Sequence, residues 1–82
     1  MTPEASRELI CRLLVEIAPD ADIDDVDEGR DLRREVDLDS LDFQTLVERV
    51  AEETSVQIPE TDYPKVRSLR GMSDYVAAAA RA

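Results

Sequence analysis

The chain has 82 residues with ten basic against twenty acidic side chains, a formal charge of −10, one cysteine and no histidine. That length holds a single domain, 1–82, whose core only just outweighs the entropy of folding. The missing histidine removes serine–histidine and cysteine–histidine pairs and the commonest neutral metal ligand. The charge opposes nucleic-acid phosphates and anionic lipid headgroups and favours basic protein surfaces.

Cys11 has no partner for an internal disulfide, which suits a reducing, cytoplasmic setting. The opening "MTPEASRELI" lacks the charged start, apolar run and cleavage site of a secretory signal, and no apolar run is long enough to span a bilayer. A soluble monomer without a membrane span is expected.

Thr2 before Pro3 is a helix start, with proline where its missing N–H does no harm. Leu9, Ile10, Leu13, Leu14 and Ile17 then recur at helical spacing, which predicts a first helix over Pro3 to Ala18, stopped by Pro19. From Pro19 to Asp39 no periodicity persists, and a long loop is predicted. Loops of that length in small domains are functional or are pinned by apolar anchors. Ile23, Val26, Leu32, Val36 and Leu38 are the candidate anchors, with a short helical turn at Leu32 and Arg33.

Periodicity resumes with Leu41, Phe43, Leu46, Val47 and Val50, a second long helix over roughly Ser40 to Glu53. After Ile58-Pro59, "ETDYPKV" predicts a helix of one or two turns, provided Pro64 falls in its first turn. Ser68 caps a last helix carrying Leu69, Met72, Tyr75, Val76 and Ala79, in which Gly71 costs about 1 kcal/mol relative to alanine. The predicted fold is all-α: a small helical bundle of three longer helices and one short helix, with a long loop after the first.

The stretch "VDLDSLDF" places Ser40 where that loop meets the second long helix. Spacing alone favours capping, in which the oxygen of Ser40 or of Asp39 accepts a first-turn N–H, and Asp39 with Asp42 imitates a capping box. A helix N-terminus also stabilises a phosphate ester on an adjacent serine. With no histidine base in the chain, such a serine is a modification site activated by another enzyme.

"DSLD" at Asp39 to Asp42, behind a long loop and ahead of a helix with Leu46, Val47 and Val50, resembles the acyl carrier protein family. Ile58-Pro59, "ETDYPKV" and "LRGMSDYV" stand at the family's spacings from the serine, so the resemblance covers nearly the whole chain. It implies that Ser40, flanked by Asp39 and Leu41, carries 4′-phosphopantetheine received from coenzyme A through a phosphopantetheinyl transferase. It implies a carrier with no catalysis of its own, whose arm thiol bears acyl or aminoacyl groups between a loading ligase and downstream transferases or synthases.

Asp42, Glu48, Glu52 and Glu53, with Asp39, would be the patch that basic enzyme surfaces meet. Asp37 stands where the family commonly has glycine, Thr54 where it often has an aromatic residue, and Thr45 and Glu48 at partner-facing positions it fills otherwise. The rival reading is an acidic helical protein-interaction module without a prosthetic group.

The acids from Asp20 to Glu28 invite a calcium reading, but the EF-hand template fails in both registers. Starting at Asp20 puts Asp25 where glycine belongs, and starting at Asp24 leaves Val26 at a ligand position. A solvated loop and no metal site are expected there. Cys11 is a small half-buried residue, and Tyr63 and Tyr75 fill the core or hydrogen-bond at its rim.

Overall fold

The computed structural model describes residues 1–80, so Arg81 and Ala82, the last two residues of the expected domain, lie outside the described residues. The first helix, α1, spans Pro3–Ile17. Thr2 caps it by accepting the Ala5 N–H at 3.1 Å, and Pro3 occupies the first turn. It stops one residue earlier than the periodicity predicts, with the Ala18 N–H closing onto the Leu14 carbonyl at 2.7 Å. A one-turn α2 follows at Leu32–Glu35, capped by Asp31. The long helix α3 spans Ser40–Thr54, and α4 spans Leu69–Ala79 behind a Ser68 cap.

Ile10, Leu13 and Leu14 of α1, Leu46, Val47 and Val50 of α3, and Leu69, Met72 and Val76 of α4 form one buried core, so the bundle is the predicted all-α fold. Helix α1 packs on both α3 and α4. Two serines lie inside the contact between α1 and α4: Ser6 Oγ donates to the Ser73 carbonyl at 2.7 Å, and Ser73 Oγ donates to the Leu69 carbonyl at 2.7 Å. Small side chains let the helices approach, and both buried hydroxyls find an acceptor, which removes the cost of leaving them unpaired.

The predicted short helix is a 3-10 segment over Glu60–Val66, and Pro64 falls beyond its first turn. The tighter winding is consistent with a segment whose proline removes one of its few backbone donors. Its end presses on α4. A Cβ built on Gly71 would stand 2.5 Å from the Lys65 carbonyl oxygen, so the glycine that costs helix propensity is what permits this approach.

The long loop is pinned as expected, with Leu32, Val36 and Leu38 buried and Ile23 and Val26 packed against the core. The backbone supplies further fastening. The Leu32 N–H donates to the Arg67 carbonyl at 2.6 Å, the Arg70 N–H donates to the Glu28 carbonyl at 2.9 Å, and Asp31 and Ser68 form an isolated antiparallel bridge. The loop's acids also serve its folding: Asp27 accepts the Gly29 N–H at 3.0 Å, Glu35 accepts the Asp27 N–H at 2.8 Å, and Glu28 pairs with Arg7 at 2.6 Å. That contact raises the Arg7 pKa, chiefly through the hydrogen bond to Glu28.

Candidate functional site

The start of α3 divides its tasks between two residues. Asp39 is extended (φ −83°, ψ 179°) and its Oδ1 accepts the Asp42 N–H at 2.7 Å, so the cap is the aspartate. Ser40 is then the first helical residue, with its side chain exposed. First-turn N–H groups have no intrahelical acceptor, and the positive end of the helix dipole lies at the same place. An anion bonded to Ser40 Oγ would therefore sit in a favourable field.

Upstream, Asp37 adopts a left-handed backbone (φ 54°), which aspartate tolerates better than most residues and glycine best. Leu41 is 71% exposed while Phe43, two residues on, is buried, so the first turn offers an apolar side chain to solvent right beside the serine. At the other end Ser55 is left-handed (φ 59°), and the Thr54 hydroxyl donates to the Val50 carbonyl at 2.7 Å and accepts the Val56 N–H at 3.2 Å. Thr54 thus closes the helix.

The acids expected to form one patch are dispersed along α3. Asp39 and Asp42 stand with Ser40 and Leu41 in the first turn. Glu48 is exposed further along and accepts from Gln44 Nε2 at 3.3 Å. Glu52 and Glu53 lie 3.9 and 3.8 Å from the Arg49 guanidinium, which also meets Glu16 of α1 at 3.1 Å. At 1.5 Å of rise per residue, Glu52 lies roughly 18 Å along the axis from Ser40. The far pair is thus partly neutralised, and of this set Asp39, Asp42 and Glu48 stand without a basic partner among the described residues.

Beside Ser40 a pocket of about 330 Å³ is lined by Arg33, Phe43, Gln44, Glu60, Tyr63 and the serine itself. A second, of about 360 Å³, shares Arg33, Phe43 and Tyr63 with it and ends at Asp31 and Arg67. The two rings meet edge to face, with centroids 5.8 Å apart and an interplanar angle of 78°. None of the lining residues other than Ser40 stands out as functional in the sequence. Arg33 and Arg67 are far apart along the chain, and Phe43 and Tyr63 fit a core pattern.

The remaining candidates have structural roles. Tyr75 OH donates to Asp62 Oδ2 at 2.6 Å, tying α4 to the 3-10 segment. The phenol holds the Asp62 carboxyl below its usual range, and the carboxylate in turn raises the Tyr75 pKa. Burial pushes the Cys11 thiol up, away from the thiolate form that reactivity needs. Among the described residues no three acidic or cysteine side chains come together as a metal site, and no helix is long and apolar enough to cross a membrane.

Comparison with known proteins gives one positive finding. The model of the family described as "phosphopantetheine attachment site" matches residues 7–76, from the second turn of α1 into α4. No curated protein matches the chain.

Proposed function

The chain belongs to the phosphopantetheine-attachment family, that of the acyl carrier domains, and we propose that Ser40 is its point of attachment and that its cargo is acyl or aminoacyl groups passed between biosynthetic enzymes. Its cofactor is 4′-phosphopantetheine. When bound, that group supplies a terminal thiol on which acyl groups are held as thioesters. The residues at the start of α3 fit it. Ser40 offers an exposed primary hydroxyl, the first-turn N–H groups and helix dipole suit a phosphodiester, and an open groove adjoins the serine.

In loading, Ser40 Oγ attacks the pyrophosphate of coenzyme A. The bond to the 3′,5′-ADP leaving group breaks, and the hydroxyl proton passes to a base that the transferase supplies, since among the described residues Ser40 Oγ donates to no carboxylate and the chain has no histidine. Asp39 serves twice in this scheme: its carboxylate holds the helix start in place, and its charge faces a basic or metal-bearing transferase site. Leu41 offers that enzyme an apolar contact.

Asp42 and Glu48, with Asp39, form the near part of a face for basic partners, and Glu52 and Glu53 extend it. The loading ligase and the downstream transferases or synthases would use the same face. Charged, solvated surfaces of this kind give fast encounters that are weakened by salt, which suits a carrier that must leave each enzyme again.

The observation that carries the assignment is the division of labour at the helix start. Because Asp39 is the cap, the Ser40 hydroxyl is not needed for the fold and is exposed for chemistry. Incubation with coenzyme A and a phosphopantetheinyl transferase should add the mass of one pantetheinyl group to the wild-type chain and none to Ser40→Ala, whose helical spectrum should be unchanged. A Ser40→Ala protein that still gains the mass places the arm elsewhere. A wild-type chain that never gains it leaves the acidic interaction module as the better account.

A further inference from the structure

The groove beside Ser40 has a chemical character that attachment alone does not require. Its two pockets share Arg33, Phe43 and Tyr63 and so adjoin, one reaching the serine and the other Arg67. Arg7, Arg30, Arg49 and Lys65 each have a carboxylate within 4 Å. Among the described residues, Arg12, Arg33, Arg34, Arg67 and Arg70 make no such pair, and of these five Arg33 and Arg67 line this groove.

Two acids do line the same groove. Asp31 turns its Oδ1 to the Arg33 backbone N–H at 2.9 Å, and Glu60 stands at the serine end. Neither lies within salt-bridge distance of a guanidinium. Both arginines thus keep their forked donors free, and the fork matches a carboxylate in two-point geometry.

Their placement is also built in. Arg33 follows Leu32, whose N–H is bonded to the carbonyl of Arg67 itself at 2.6 Å, so the two backbones are fastened to each other across the long loop. The Phe43 and Tyr63 rings line both pockets together with Arg33 and form an apolar wall beside it. The groove therefore holds the tether with Arg33 in one pocket and Arg67 with Arg33 in the other, and the two rings line both.

We propose that this groove receives acyl groups that end in a carboxylate, with the carboxylate between Arg33 and Arg67, the methylenes against Phe43 and Tyr63, and the thioester end on the Ser40 arm. The proposal rests on attachment at Ser40. Tethering makes the contact intramolecular, so weak ion pairing at an exposed site suffices to populate it.

The test loads the chain from hexanoyl-coenzyme A, adipoyl-coenzyme A and coenzyme A itself. The first two arms have equal carbon count and differ in the terminal carboxylate, and the third carries only the arm's own phosphodiester. Intact mass establishes loading in every sample. A failure at that step overturns the attachment reading and this inference with it, whereas any later failure touches this inference alone.

In nitrogen–proton spectra, adipoyl loading should shift the arginine Nε–H signals of Arg33 and Arg67 beyond their positions in the other two samples. High salt and the Arg33→Gln/Arg67→Gln variant should erase the adipoyl-specific shifts at Phe43 and Tyr63. Hydrolysis of the adipoyl thioester should be slower in the wild type than in the variant by about 1.5- to fivefold, the span expected of an exposed ion pair. Identical spectra for the hexanoyl and adipoyl forms overturn the proposal. So do arginine shifts already complete with the unacylated arm, which would make the phosphodiester the anion that they hold.

Discussion

The contact between α1 and α4 and the first turn of α3 are built on opposite terms. In the first, even serines are buried, and each hydroxyl is matched to a carbonyl at 2.7 Å. In the second, an aspartate, a serine and a leucine stand exposed in succession, and only one of them is needed to start the helix. Stability is thus concentrated away from the serine, and the end that meets other proteins can change its side chains at little cost to the fold.

That contrast is broken most severely from inside. Leu46 is wholly buried two turns from Ser40, and Leu46→Ala should destabilise the protein by about 2–5 kcal/mol. A domain this small has about 5–15 kcal/mol in all, so a denaturant melt should show a large fall in midpoint. A loss near zero would mean that the core does not extend beneath the site.

Gly71→Ala tests the boundary between helix preference and packing. Alanine gains about 1 kcal/mol of helix propensity, but its Cβ would press on the Lys65 carbonyl, and overpacking of this kind costs about 1–3 kcal/mol. Because the obstacle is backbone, packing should win, with a lower melting temperature. A higher one would show that the Glu60–Val66 segment yields easily.

Tyr75→Phe removes the phenol that ties α4 to that segment, and its signature is pH dependence. The Asp62 carboxyl is held below its usual pKa by the Tyr75 hydrogen bond, so its contribution is present above that usual value and is lost as pH falls through the folded value. The raised Tyr75 pKa works in the other direction, favouring the fold until pH rises through the folded value. Between these limits the variant should be slightly less stable than wild type, and the difference should close in strong acid. A gap independent of pH would assign the loss to packing.

The smallest shift in stability is expected nearest the chemistry. Asp39→Asn keeps a competent cap, so the melt should move by well under about 1 kcal/mol, while the rate of loading by the transferase falls clearly because the charge is gone. If the variant melts early and its folded fraction is loaded at the normal rate, Asp39 serves the helix alone and the contrast between the two regions is less sharp.

Much of this was legible in the chain itself, for identifiable reasons. The caps at Thr2 and Ser68, the start at Pro3, the stop at Pro19 and the stripes of the three long helices are local signals, and each appears within a residue or so of its expected place. Leu32, Val36 and Leu38 could be read as anchors because apolar residues in a charged loop have few other uses. Ser6 and Ser73 could not be read as core, since a buried serine differs from a surface one only in the carbonyl that it finds.

The groove was hidden for a similar reason. Arg33 and Arg67 become neighbours through backbone hydrogen bonds, which leave no mark on residue type, and Phe43 and Tyr63 match a core pattern whether or not one edge faces an opening. Which of Asp39 and Ser40 caps α3 also needed coordinates, because both are good caps by composition.

The pairing of the long loop with the start of α4 has a kinetic consequence. The amides of Leu32 and Arg70 donate across a large separation in sequence, so they can form only after the chain between them has been brought together, late in folding. In hydrogen exchange they should exchange together, more slowly than the exposed amides around Asp24 and more readily than the interior of α1. The whole arc from Glu28 to Leu32 would then open as one unit and carry the arginine side of the groove with it, so that exchange at two amides reports how often the serine's surroundings come apart.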